Sequence, residues 1–236
     1  MVSFRALGFL VRLHLTFALI VVLFVLDADL PIPAILLWMV VAGASILVHE
    51  FGHALVVRRF GGEVENVTLH LMGGYTQWRP GYDGPLERRQ RFIVSAAGSG
   101  LGIAVGLLVF LAASRGLFGG DAELIASVFG VFSDSFWLFA YSGDYVAFSA
   151  LAFVWVSVFW GLINWVPVGG LDGSHMLREI WTSIDPENGA RHTQIVGVIA
   201  AVVLGIILWT NGYRFAPLIF VAYAVADLMG TSISVD

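Results

Sequence analysis

His49, Glu50 and His53 stand in an H-E-x-x-H run near the end of a long apolar stretch. On a helix, residues four apart share one face about one turn apart. His49 and His53 can therefore offer two imidazole nitrogens to one metal ion, and Glu50 can reach a water held beside it. This spacing suits metal-assisted hydrolysis, with zinc as the usual ion and the glutamate as general base. The surroundings sharpen the reading. Two histidines and a carboxylate inside a hydrocarbon-length segment are costly unless a metal or a polar bundle core compensates them.

A catalytic zinc site usually takes three protein ligands and keeps one position open. The chain has no cysteine, so the further donor is nitrogen or oxygen: His14, His70, His175, His192 or a carboxylate. Asp172 stands out by context. It closes the run from Asn164 to Gly173, where Pro167, Gly169 and Gly170 break an apolar helix. Broken backbone at membrane depth is tolerated where it lines a cavity, and a carboxylate there reads better as a ligand than as a lipid-facing charge. His70, on the polar face of an alternating segment, reads as solvated.

The elements that must position these groups are membrane helices. Of 236 residues, 58% are hydrophobic and 12% charged, against about 25% charged in soluble domains; mean hydropathy is +0.87. The expected fold is an all-α polytopic membrane protein with one domain over residues 1–236. A net charge of −5 gives no basic footprint for nucleic acid. Partners should be the lipid bilayer and a membrane-embedded substrate or ion; composition leaves the oligomeric state open.

Six transmembrane helices are expected, near residues 6–26, 34–57, 92–113, 147–166, 195–210 and 215–229. In the first, Arg12 would snorkel to the interface. Small residues from Ser95 to Gly102 suit the third to close helix packing. Between the second and third, Val67, Leu69 and Leu71 alternate with Asn66, Thr68 and His70, and Gly73-Gly74 marks a turn, which predicts a β-hairpin near 63–78. Its edge, at residues 66–70 or 75–78, could add an extended peptide as another strand. Asp134 and several glycines interrupt the stretch 115–146, which is expected to lie in the interface, re-enter or fold outside rather than span.

Arginine placement sets the orientation. With six spans, Arg5, Arg12, Arg58, Arg59, Arg79, Arg88, Arg89, Arg91, Arg178 and Arg191 share one side, and only Arg115 and Arg214 face the other. The positive-inside rule then predicts cytoplasmic N- and C-termini and a site near the cytoplasmic surface. The ends of the second and fourth helices share that side, as a metal shared by His53 and Asp172 requires.

His49-Glu50-Phe51-Gly52-His53 on one apolar helix, followed by Asn164-x-x-Pro167-x-x-x-Leu171-Asp172-Gly173, resembles the site-2 protease family of intramembrane zinc metalloproteases, peptidase family M50. The likeness extends to the Gly73-Gly74 hairpin and His14, over about residues 10–180. It implies a six-helix core, one zinc ion held by His49, His53 and Asp172, Glu50 as catalytic base, and Asn164 assisting substrate or transition-state binding. The implied activity is cleavage of a peptide bond within or beside the transmembrane segment of a membrane protein, as in regulated intramembrane proteolysis. The third helix departs from the family pattern, with Gly98-Ser99-Gly100-Leu101-Gly102 where Gly-Pro, a small residue and Asn often stand. The length leaves no room for an inserted PDZ-like or CBS-like module. The rival reading is a membrane metal transporter or sensor using the same His/His/Asp site; hydrolysis needs Glu50 as a carboxylate, whereas transport could tolerate its amide.

Overall fold

The computed structural model describes residues 1–19, 31–70, 73–117, 139–210 and 216–229. Two short strands open the chain, β1 (Val2–Ala6) and β2 (Phe9–Leu13). A long helix α1 (Ile32–Arg59) follows, then strands β3 (Glu63–His70) and β4 (Gly73–Arg79). The rest is helical: α2 (Arg88–Ser114), α3 (Tyr145–Asn164), α4 (Asp172–Ile184), α5 (Gly189–Thr210) and α6 (Ala216–Leu228).

The opening of the chain corrects the expected first helix at 6–26. Residues 9–13 are a strand, paired with β1 from Val2↔Leu13 to Ala6↔Phe9. The two-residue loop is Leu7-Gly8, both at positive φ (51° and 85°), the backbone that a tight hairpin requires. Phe9 and Val11 alternate inward, buried against Phe51, Ala54 and Val67. The apolar run disguised a period of two as a membrane helix, and leucine at the first loop position hid the turn. Residues 17–19 of that segment are helical, and 20–26 lie outside the described residues.

The expected hairpin is half of a larger object. The sheet has the order β1-β2-β3-β4, with β2 parallel to β3 through Val11↔Val67 to Leu13↔Leu69 and β3 antiparallel to β4. β3 is therefore central, and residues 66–70 present no open edge; β4 is an outer strand. The fold is helical with a four-stranded mixed sheet.

α1 runs 28 residues, about 42 Å at 1.5 Å per residue. Its first half buries one stripe, Ala34, Trp38, Ala42 and Ser45. Trp38 packs its ring 6.4 Å from Phe148 and 5.9 Å from Trp155 of α3, and Ser45 shares a 2.6 Å hydrogen bond with Ser157. The second half is buried from Glu50 through Ala54, because the sheet covers one side and α2 the other. The helix stops at Gly61, whose φ of 83° lets the N–H groups of Gly61 and Gly62 reach back to Arg58 O (3.2 Å) and Val57 O (2.9 Å).

α1, α2, α3 and α5 are long and apolar enough to cross a membrane; α6 is apolar but shorter, its 13 residues spanning about 20 Å against a hydrocarbon core of about 30 Å. Five of the six expected helices thus appear among the described residues, four of them at membrane-spanning length, in a membrane-embedded protein. The expected turn at Asn211-Gly212 lies outside the described residues, as do 118–138 of the 115–146 stretch, Asp134 included.

Candidate metal centre and active-site cavity

The HExxH helix meets α2 without side chains in between. A Cβ on Gly52 would come 2.8 Å from Gly98 Cα, and one on Gly98 would collide with Nε2 of His53 and lie 2.8 Å from Nε2 of His49. The small-residue stretch of α2 therefore lets two helices touch, as in lipid generally, and also leaves the space that the two imidazoles occupy.

His49 and His53 stand one turn apart, with their Nε2 atoms 3.1 Å from each other. His53 Nδ1 lies 2.7 Å from Val94 O. A carbonyl only accepts, so Nδ1 carries the proton and the Nε2 lone pair faces the partner histidine. Asp172 arrives from far along the chain. α3 contains a π-turn at Val156–Trp160 and breaks after Asn164; Gly170 takes φ 84°; α4 then begins at Asp172. Gly173 has no room for a side chain, since a Cβ there would strike the Trp165 carbonyl. This sharp re-entry puts Asp172 Oδ2 3.3 Å from His49 Nε2 and Oδ1 3.2 Å from His53 Nε2. Ser99 Oγ donates to Oδ2 at 3.2 Å.

These separations suit a zinc ion. Ligands about 2.0–2.1 Å from a tetrahedral zinc lie about 3.3 Å apart; the two histidine nitrogens are 3.1 Å apart, and each lies 3.2–3.3 Å from one oxygen of the Asp172 carboxylate. Glu50 adds a carboxylate oxygen within 4.8 Å of the histidine nitrogens. It is 3% exposed, and Thr76 Oγ1 donates to its Oε2 at 2.8 Å. Gly74 passes so close that a Cβ would lie 2.6 Å from Glu50 Oε1, so β4 is pressed directly onto the carboxylate.

Around this cluster lies a cavity of about 290 Å³. His49, Glu50, His53, Asn164, Asp172, His175 and Thr76 all line it, and β4 contributes Gly73, Gly74, Tyr75 and Trp78. All five residues singled out for chemistry in the sequence thus reach one cavity. His70 lines it too, beside Tyr75 at 5.1 Å between rings; burial, with His14 nearby, lowers its pKa. At the rim, Arg91 Nε and Nη2 donate to Glu179 at 2.7 and 2.8 Å, fastening α2 to α4. From α6, Tyr223 lies against Gly170.

Several of these contributors carried only weak sequence signals. Thr76 lay within the expected hairpin near 63–78, with nothing local to mark it as a partner of Glu50. Ser99 sat within a run that small-residue packing already explained. Tyr223, Arg91 and Glu179 had no local signal.

Over residues 37–208 the chain matches the family described as Peptidase family M50. It is 29% identical over 229 residues to Rip3 of Mycobacterium tuberculosis, itself provisionally named a zinc metalloprotease, covering 88% of this chain and 51% of the relative. The chain thus spans about half the length of the curated relatives it matches. The site-2 protease of Methanocaldococcus jannaschii shares the fold, with a TM-score of 0.61 at 17% identity, covering 98% of this chain and 95% of that one. Family match, fold and HExxH sequence agree, and the chain belongs to peptidase family M50, the site-2 protease family of zinc metalloproteases.

Proposed function

We propose that the chain is an intramembrane endopeptidase that cleaves a peptide bond within or next to the transmembrane segment of a membrane-protein substrate. One observation carries the reading: a buried glutamate and a His/His/Asp cluster with zinc-ligand separations share one cavity inside apolar helices. In this reading His49, His53 and Asp172 hold a single zinc ion. Zinc chemistry there is Lewis-acid polarisation of a carbonyl and acidification of water.

Glu50 accepts the proton of the attacking water and delivers it to the leaving nitrogen. Thr76, hydrogen-bonded to Glu50 Oε2, holds that carboxylate in one orientation. Asn164, 8% exposed and on the cavity wall, binds the substrate or the transition state. A helical segment keeps its carbonyls in backbone hydrogen bonds, which must open before one of them can be attacked. The substrate segment therefore enters unwound, and the outer strand β4 can pair with it, its residues Gly73 to Thr76 lying beside Glu50. Arginine distribution supports cytoplasmic termini and a cytoplasmic-side site, the arrangement that release of a substrate fragment by regulated proteolysis would use.

Glu50→Gln tests the reading because it keeps size and leaves the three ligands in place. Zinc content and fragment yield are measured together in proteoliposomes containing single-span candidate substrates. The expected result is full zinc with cleavage reduced at least about 10²–10⁴-fold. Substantial cleavage by the zinc-loaded variant would sink the assignment of Glu50 as base.

A further inference from the structure

His175 lies three residues after Asp172 on α4, so the two side chains share one helical face. It lines the same cavity as Glu50 and the His/His/Asp cluster. The polar groups around it are largely committed. His53 Nδ1 donates to Val94 O, Thr76 to Glu50, Ser99 to Asp172, and Arg91 to Glu179. His175 is partly buried, and no hydrogen bond reaches either of its ring nitrogens among the described residues. A partly buried donor that lines the reaction cavity and has no protein partner is placed to meet a group that arrives with the substrate.

What the substrate brings is also defined by the chemistry. A peptide carbonyl attacked by water gathers negative charge on its oxygen, and an oriented N–H in a water-poor cavity stabilises that charge more than it stabilises the neutral carbonyl. Glu50 cannot serve there, being an acceptor engaged with the water proton. An imidazole always carries at least one N–H.

We propose that His175 is a catalytic residue of this protein, donating a ring N–H hydrogen bond to the scissile carbonyl oxygen as the tetrahedral oxyanion forms. The inference rests on the protease reading. No proton changes owner in this role; the hydrogen bond shortens as charge develops and relaxes when the amide bond breaks.

His175→Phe keeps a ring and removes the donor; His175→Gln restores an N–H at similar reach. Full-length wild type and both variants are compared on a synthetic single-span peptide carrying a helix-breaking Gly-Pro pair and a donor–quencher couple. Zinc stoichiometry, kcat and KM are measured, together with the Kd of an apolar peptide phosphonamidate, whose tetrahedral phosphoryl oxygens imitate the oxyanion. The expected outcome is wild-type zinc in both variants, a fall in kcat of about 10²-fold or more in His175→Phe with KM little changed, and recovery of about tenfold or more in His175→Gln. Phosphonamidate affinity should fall with kcat. Loss of zinc in His175→Phe would make the residue a support of the metal centre and overturn the proposal. Unchanged kcat, or glutamine no better than phenylalanine, would overturn it too while wild-type cleavage leaves the protease reading standing. Zinc-loaded wild type that cleaves nothing would overturn both.

Discussion

Thr76 donates its hydroxyl to the Glu50 carboxylate at 2.8 Å and to the Glu50 carbonyl at 3.1 Å, so the outer strand of the sheet grips the HExxH helix at the side chain assigned the chemistry. The strand that can receive an extended substrate is thereby also the strand that orients the base. In the proposed reading, Thr76 would couple substrate binding to proton transfer.

Thr76→Val retains shape and deletes that hydrogen bond. A hydrogen bond to a charged group contributes about 1.5–3 kcal/mol, and about 1.4 kcal/mol is tenfold in rate. Cleavage should fall about tenfold or more while zinc content holds, because the threonine touches none of the three proposed ligands. Equal kcat in wild type and variant would show that Glu50 needs no such restraint.

Two glycines of α2 should behave oppositely. A Cβ on Gly98 collides with His53 Nε2, whereas one on Gly100 meets nothing within 4 Å. Gly98→Ala should lose most zinc, and Gly100→Ala should keep it and gain about 0.5–1 kcal/mol of helix stability. Metal analysis and thermal unfolding of the pair in one detergent check this; normal zinc in Gly98→Ala would contradict the packing described.

Asp172 and the fully buried Ser99 form a graded test of the third ligand. Asp172→Ala should abolish stable zinc binding, since it removes one of three proposed donors. Ser99→Ala removes only the 3.2 Å hydrogen bond to Asp172 Oδ2, and loss of such an outer partner typically weakens metal affinity about 10–100-fold. Competition with a chelator resolves the series. Unaltered zinc affinity in Asp172→Ala would remove that residue from the site.

Sidedness is open to cysteine labelling, because the chain has no native cysteine. Single cysteines at the exposed Glu63 and Asn188 should react only from the cytoplasmic face, and those at Gly116 and Gly143 only from the opposite face. Reaction of Gly116 and Gly143 from different faces would mean that the segment between them crosses the bilayer.

The sequence by itself determined what depends on local period and on the cost of polar groups in hydrocarbon. Helical spacing put His49 and His53 on one face, and unbroken apolar runs marked the helices that became α1, α2, α3 and α5. The family likeness was legible for the same reason: His49-to-His53 and Asn164-to-Gly173 are short runs whose residue types are rarely tolerated in apolar segments. The limits were equally physical. Phe9 to Leu13 is apolar on both a helical and a strand reading, and only pairing with β1 and β3 makes it a strand. β3 looked like an available edge because its partner β2 lies more than fifty residues earlier, and nothing local encodes a parallel neighbour. Tertiary structure alone brought Asp172 within 3.3 Å of histidines some 120 residues away. Only the folded chain could show that Thr76 holds Glu50, that Ser99 holds Asp172, and that His175 faces the same cavity with its nitrogens open, since each is a contact between elements whose approach is set by packing rather than by spacing.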